Sequence, residues 1–591
     1  MPAVPSRLRL FCAALLALVL FGCFGTSVTP PSASPEARFT ARSSMGMVVS
    51  ANSIASQVGA DVLKAGGNAV DAAIATGFAL AVVHPSAGNI GGGGFMVIRY
   101  PDRLPYRDPA ITATAIDFRE KAPLAAHPEM FLDENGEYSS DVHHNSHLAV
   151  GVPGTVAGFA LAHQEHGNLP WSDLVAPAEC LAEDGFVLSP ALARTFGRML
   201  PRFADYPATL AQFSKDGEPY EAGETFTQPD LAKTLKRIRQ FGRDGFYKGQ
   251  TAFLIAQEMR RGGGAITEED LARYRPVVRT PIRGTYNGYD IISMPPPSSG
   301  GVALVQMLNI LEGFDLQKGG HNSATYIHLV TESMRRTFRD RARFLADPDF
   351  RDVPVERLTS KTYAAELRRE IDQDRATPSS PTDVARVMLY EESPQTTHFS
   401  VVDADGMAVS VTYTLEAGYG SKIVVPGGGF LLNNEMGDFN AVPKLTTITG
   451  LIGTEPNLAR PEQRMLSSMT PTILAKDGKL VAVVGSPGGR TIINTVLQVV
   501  LNVTEFDMGI QEAVNAKRFH HQWLPDQIRV EQDAWALGAG VGVEGALTSM
   551  GHSVRVMGTQ GSVHAIMIDP KTGERLGAPD LRDPDSGAVG Y

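Results

Sequence analysis

The chain has 591 residues, 43% of them hydrophobic and 20% charged, with a net charge of −11 at neutral pH. That apolar fraction supplies a large core and excludes a disordered chain. The acidic balance repels phosphate backbones, so nucleic acid is set aside as a partner.

Arg7 and Arg9 precede an apolar run from Leu10 to Phe21. The run is too short to span a bilayer and suits an export signal over residues 1–22. It ends in Leu20-Phe21-Gly22-Cys23. A Leu, a small residue and then Cys is the pattern of a bacterial lipoprotein processing site, with Phe21 bulkier than usual there. Lipidation of Cys23 and a plain signal cut nearby both fit. The expected location is the periplasm, or a membrane-anchored lipoprotein of a bacterial envelope. Residues 23–45 carry several Pro and Ser and read as a flexible tether. Cys12, Cys23 and Cys180 are the only cysteines, which excludes an internal disulfide once the signal is gone. Cys180 stands in a helical context and reads as a small core residue.

Ala51 to Ala81 reads as helical, broken at Gly66-Gly67-Asn68 by a C-cap and a new start. Asn89 to Gly94 forms a glycine loop that permits close backbone approach or positive φ. His143, His144 and His147 fall in a polar loop. Helical patterns follow at Leu231–Phe241, Thr251–Arg261 and Ala324–Leu345, and the segment Met294 to Gly301 is neither helix nor central strand. Within the last helix, Arg335, Arg336, Arg339, Arg341 and Arg343 alternate with Phe338 and Phe344, which predicts a solvated face on a core-packed helix. Residues 371–396 are a polar loop. It ends at Thr396, where two β-rich runs flank Asp403-Ala404-Asp405-Gly406 as a hairpin. A second hairpin is predicted over Pro471–Leu474 and Leu480–Val484.

Centring the first hairpin on Asp405 sets Thr396 opposite Thr414, with their Cβ atoms about 5 Å apart. A strand-initial threonine after a loop suits an N-terminal nucleophile. If the bond before it is cut, its own α-amine, with a pKa near ~8, can take the hydroxyl proton. Propensity alone reads Thr396 and Thr397 as ordinary strand residues, and Arg119 alone reads as a surface ion-pair partner of Asp117 or Glu120. His143, His144, His147 and the His520-His521 pair lack metal spacing, so no metal is expected.

Several blocks in order resemble γ-glutamyltransferases: Asp117-Phe118-Arg119-Glu120, Pro394-Gln395-Thr396-Thr397-His398-Phe399, Leu432-Asn433-Asn434-Glu435-Met436-Gly437-Asp438-Phe439, Leu466-Ser467-Ser468-Met469-Thr470 and Gly485-Ser486-Pro487-Gly488-Gly489. The resemblance implies an α+β fold of the N-terminal-nucleophile type, a four-layer αββα sandwich with the Thr396 hairpin central to one sheet. It implies self-cleavage between Gln395 and Thr396 into a large subunit (46–395) and a small one (396–591) that remain associated. By the same resemblance, Arg119, Ser467 and Ser468 bind the donor's α-carboxylate, and Glu435 and Asp438 bind its ammonium. Glu416 stands where relatives carry Asn or Ser, Gly488 and Gly489 form the oxyanion hole, and Thr414 steadies Thr396. The implied partners are glutathione or other γ-glutamyl compounds, with water, amino acids or peptides as acceptors, and no cofactor. Where some relatives carry an aromatic gate in a lid loop, this chain has Thr449. A related acylase for glutaryl-type side chains is the alternative.

Overall fold

A computed structural model describes residues 40–101, 111–380, 395–447, 452–532 and 542–591. The predicted signal, Cys23 and Thr449 lie outside them. The strands that build the two main sheets are, in chain order, β1 (Ala41–Ser43), β2 (Met47–Ser50), β3 (Gly93–Arg99), β4 (Ala113–Phe118), β5 (Val277–Arg279), β6 (Ile282–Tyr286) and β7 (Tyr289–Ser293), then β8 (Thr397–Val402), β9 (Ala408–Thr414), β10 (Thr472–Lys476), β11 (Lys479–Val484), β12 (His564–Ile568), β13 (Arg575–Pro579) and β14 (Gly587–Gly590). One seven-stranded sheet runs β14-β2-β8-β9-β3-β4-β5, the other β1-β13-β12-β11-β10-β7-β6. β1 pairs antiparallel with β13, so the expected tether ends before residue 41 rather than at 45.

The β8–β9 hairpin sits at the centre of its sheet, and its register is the one expected: Thr397 pairs with Tyr413 and Phe399 with Val411. Period-two alternation gives it two distinct faces. Phe399, Val401, Val409, Val411 and Tyr413 join the helices of one outer layer in a single apolar cluster. Val402 and Ala408 point the other way, packing with Ile473, Val483 and Ile566 of the second sheet. Helices α1 (Ser53–Lys64), α2 (Ala69–Val83), α3 (Ser140–Asn145), α4 (Thr155–His166), α5 (Gly300–Leu311), α6 (Ala324–Phe344) and α7 (Thr491–Thr504) include those that close the sandwich. α1, α2 and α4 cover the first sheet and α5 to α7 the second. The result is the four-layer αββα arrangement.

Local chemistry holds the hairpin in place. Asn68 and Asp71 make a reciprocal capping box on α2, as the Gly66-Gly67-Asn68 break predicts. Asp403, at the hairpin turn, accepts from the Ala69 amide at 3.0 Å and so ties the turn to the same helix start. Tyr413 donates to the Gly77 carbonyl at 2.9 Å. The second hairpin forms as expected, with a register shift between Leu474 and Ala475.

Three expectations change. Arg335 and Arg336 are 4% and 3% exposed and straddle the buried Glu332 carboxylate at 3.1 and 2.7 Å; only Arg343 of the run is fully on the surface. A helix covered on both sides buries charge when a carboxylate one turn away neutralises it. His143 and His144 lie on the short helix α3, not in a loop, and are buried. Cys180 is helical but only half-buried.

Candidate active site

Thr396 is the residue just before β8, and its placement follows from the hairpin register. Its Oγ1 lies 2.7 Å from the Gln395 carbonyl oxygen and 3.3 Å from Thr414 Oγ1. Thr414 also reaches the Gln395 carbonyl at 3.3 Å and accepts from the Glu416 amide at 2.9 Å. Two hydroxyls thus bracket the peptide bond that precedes the strand. His398, two residues on, is no base for Thr396. Its ring is held by Thr412 at 2.8 Å and Ser400 at 3.1 Å, and burial pushes its pKa well below the usual range, so it stays neutral.

Arg119 follows β4 and is fully buried. Its guanidinium bonds both Glu435 and Asp438 and lies 3.6 Å from Glu120. The surface ion-pair alternative therefore fails; the pairing is interior and joins three carboxylates to one cation. Burial alone lowers the arginine's pKa, but Glu435, Asp438 and Glu120 outweigh it and hold the group charged. One positive charge cannot balance three negative ones out of water. Burial pushes Glu120 up to about 8 against the pull of Arg119, and Glu435 well above the ordinary carboxylate range. Neither Glu120 oxygen has a hydrogen-bond partner among the described residues. Gly93 is required beside it, because a Cβ there would lie 2.5 Å from the Phe118 carbonyl oxygen and 2.7 Å from the Glu120 carboxylate. The glycines from 91 to 94 serve close approach; none has positive φ.

The acidic turn Glu435–Asp438 is stapled from behind. Asn433 donates to the carbonyls of Gly91 and Gly151 at 2.9 and 2.8 Å and accepts from the Glu435 amide at 3.0 Å. Asn434 bonds the Glu416 carboxylate. Glu416 is buried with φ of 76°, a costly conformation for a non-glycine residue. His144 Nδ1 is 3.8 Å from Glu416. Burial, aided by His143 and Lys422, lowers the His144 pKa to about 2, so this contact is not an ion pair.

The Ser467-Ser468 loop is fixed by Ser299, whose amide and hydroxyl both donate to the Ser467 carbonyl at 2.8 and 2.6 Å. Arg341 on α6 then donates to Ser299 at 2.9 Å and to Ser468 at 3.0 Å. This arginine, expected on a solvated face, is instead a structural neighbour of the site. Gly488 and Gly489 have φ of 135° and 55°, the region that favours glycine. They lead directly into α7, so the positive end of its dipole faces the same space.

Arg119, Gln395, Thr396, Thr414, Glu416, Glu435, Asp438, Ser467, Ser468 and Gly489 line one pocket of about 30 Å³. Every catalytic and substrate-binding residue singled out from sequence lines it except Gly488, which lines an adjoining cavity. Sequence reasoning missed Arg341 as a neighbour and named Glu120 only as an ion-pair partner of Arg119, not as a buried member of the site. Among the described residues, His328, Glu332 and His552 place ligand-type atoms within 4.8 Å of one another. The imidazoles already bond each other at 2.7 Å, and Glu332 is held by two guanidiniums. That arrangement fits a hydrogen-bonded clamp better than a cation site.

Two stacked sheets between helical layers, with a threonine hydroxyl at the head of a central strand, define a fold of the N-terminal-nucleophile class. The sequence profile described as Gamma-glutamyltranspeptidase matches residues 55–590. The chain is 47% identical to a glutathione hydrolase proenzyme of Escherichia coli, covering 98% of each chain. It is 44% identical to one of Pseudomonas aeruginosa, covering 95% of this chain and 98% of that one. The structure of a cephalosporin acylase from Bacillus halodurans is similar at a TM-score of 0.80 with 27% identity, over 97% of this chain and 99% of that one. The chain belongs to the γ-glutamyltranspeptidase family. Among the described residues no helix is long and apolar enough to cross a membrane.

Proposed function

We propose that this protein is a glutathione hydrolase and γ-glutamyltransferase, made as a precursor that cuts itself between Gln395 and Thr396. The observation that carries this reading is a strand-initial threonine hydroxyl sharing one small pocket with a guanidinium paired to two carboxylates. A γ-glutamyl donor carries a carboxylate and an ammonium on one carbon. That zwitterion replaces the internal pair charge for charge. Its carboxylate takes Arg119 with the Ser467 and Ser468 hydroxyls, and its ammonium takes Glu435, Asp438 and Glu416.

Processing comes first. Thr396 Oγ1 attacks the Gln395 carbonyl, the acyl group shifts from nitrogen to oxygen, and water cleaves the ester. Gln395 is a wall of the pocket, and the space left beside it holds only one or two waters; release of the cut end makes room for a donor. In turnover, the freed α-amine of Thr396 takes the hydroxyl proton as Oγ1 attacks the γ-carbonyl. The Gly488 and Gly489 amides face the developing oxyanion. The amine side leaves with that proton, and a γ-glutamyl ester remains. Water or an acceptor amine then attacks the ester and returns Thr396. Residues 46–395 and 396–591 stay together as a heterodimer. The apolar run after Arg7 and Arg9 supports export to the periplasm, and Cys23 offers a lipid anchor.

The acylase likeness supplies a second reading, a glutaryl-type amide acylase. An acyl group without an ammonium leaves Glu435, Asp438 and Glu416 without an opposite charge, so the γ-glutamyl donor is favoured. The test is a gel and an assay. Purified protein runs as two bands, the lighter beginning at Thr396, and releases p-nitroaniline from γ-glutamyl-p-nitroanilide. Thr396→Ala stays a single inactive band; an active, uncut variant would overturn the reading.

A further inference from the structure

Arg119 is held from behind as well as from the pocket. Its Nε donates to the Met465 carbonyl at 3.4 Å. Its amide donates to Asp117 Oδ1 at 3.0 Å, and its carbonyl accepts from the Tyr274 hydroxyl at 2.8 Å. Asp117 stands near the end of β4 and is fully buried. Its carboxylate does more than hold the Arg119 amide. Arg279 of β5 donates from Nε to Asp117 Oδ2 at 2.7 Å, and Arg464 Nε lies 3.3 Å from Oδ1. One carboxylate oxygen therefore meets both Arg119 and Arg464.

Arg464 adjoins Met465 and stands just ahead of Ser467 and Ser468 in the chain. It is buried too, and three further contacts fix it. Its amide donates to Asp347 Oδ2 at 2.8 Å, its Nη2 donates to the Arg275 carbonyl at 2.9 Å, and its Nη1 lies 3.6 Å from Asp349. Arg279 closes the ring: it bonds Asp349 at 3.1 and 2.8 Å and lies 3.9 Å from Asp347. Asp117 thus sits at the centre of a charge network drawn from β4, β5, the turn after α6 and the segment that leads to Ser467. Neither Asp117 nor Arg464 is among the described residues that line the nucleophile pocket. An apolar pair of similar volume often serves stability as well as a buried ion pair does. What a guanidinium tied at several points adds is a fixed orientation.

The two chain segments that this network joins are those assigned above to the donor's α-carboxylate. Arg119 comes from the end of β4, Ser467 and Ser468 from a loop far along the chain, and the Asp117–Arg464 pair is the bridge between them. Resting on the γ-glutamyltransferase reading, we propose that Asp117 and Arg464 are positioning residues that hold the two halves of the α-carboxylate site at the right separation. They touch no substrate and take no part in bond making. A slip of about 1 Å between the halves costs about 10- to 100-fold. It falls on donor binding and spares self-cleavage, because the attack of Thr396 on Gln395 uses no α-carboxylate.

The experiment follows Asp117→Asn and Arg464→Gln through two readouts. KM for γ-glutamyl-p-nitroanilide rises about tenfold or more, while kcat stays within about threefold of the wild-type value. The light band meanwhile appears at the wild-type pace. Arg464→Lys keeps the charge, loses the planar fork and falls in between. The double variant is no worse than the more impaired single one, because both break the same link. An unchanged KM in a folded variant overturns the proposal. So does a light band slowed as much as KM has risen, or failure of all the variants to fold, since either puts the pair in the service of the core rather than the site. The wild-type protein separates the two levels: no aniline release sinks the underlying reading, whereas release that the variants leave unaltered sinks the positioning role alone.

Discussion

The inner and outer cavities meet at Asp438 yet are built on opposite electrostatic plans. The inner one, about 30 Å³, sets three carboxylates around one arginine in the dry interior. The outer one, about 300 Å³, carries Arg341, Arg490 and Arg529 and, among the described residues, the single carboxylate Asp438 on its wall. Tight burial makes charge expensive, which under the proposed function restricts the inner pocket to a zwitterion. A cavity about ten times larger leaves room for groups of varied shape.

The sharpest way to break the contrast is Arg119→Met. It leaves Glu120, Glu435 and Asp438 without their cation. Loss of one member of a buried ion cluster costs about 3–5 kcal/mol, read as a lowered denaturation midpoint, with kcat/KM for γ-glutamyl-p-nitroanilide falling at least about 10³-fold through lost carboxylate binding. Arg341→Met strikes the seam: it frees Ser299 and Ser468, and we expect KM for the donor to rise about tenfold for two charge-assisted bonds. Thr414→Val keeps the shape but removes the hydroxyl beside Thr396. Processing, followed as appearance of the light band, slows about tenfold for one such hydrogen bond.

The smallest effect is one of pH. The folded-state pKa of Glu120 is raised to about 8, so between its unfolded value and about 8 the folded protein holds a proton that the unfolded chain has lost. The stabilisation is complete below the unfolded pKa, fades as pH rises through about 8, and is absent above it. Arg119, Asp438 and Asp117 are the charged groups that face it. Urea midpoints from pH 5 to 9 should fall more steeply for the wild-type protein than for Glu120→Gln; parallel curves would refute the assignment.

The inner pocket was largely legible in the sequence and the outer one was not. The Asp403–Gly406 turn fixes a register, and the register alone brings Thr396 to Thr414. Asn68 and Asp71 announce a helix start because capping is chemistry within four residues. Arg119, Glu435, Ser467 and Gly489 sit in compact blocks whose order carries the family resemblance. Arg341 was misjudged because its partners, Ser299 and Ser468, lie 42 and 127 residues away. Periodicity reports which side of a helix is polar, not what covers that side. The same limit applies to His143 and His144, whose polar surroundings in sequence conceal a buried helix.

The strand order has a consequence for the proposed cleavage. β2 precedes residue 396 yet lies between β14 and β8, which follow it; β10 to β13 follow residue 396 yet lie between β1 and β7, which precede it. Scission there would yield two threads of one weave rather than two bodies side by side. Neither could be drawn out without unzipping a ladder along both its borders. Separated threads, by contrast, would each lack interior strands and could not close either sheet alone.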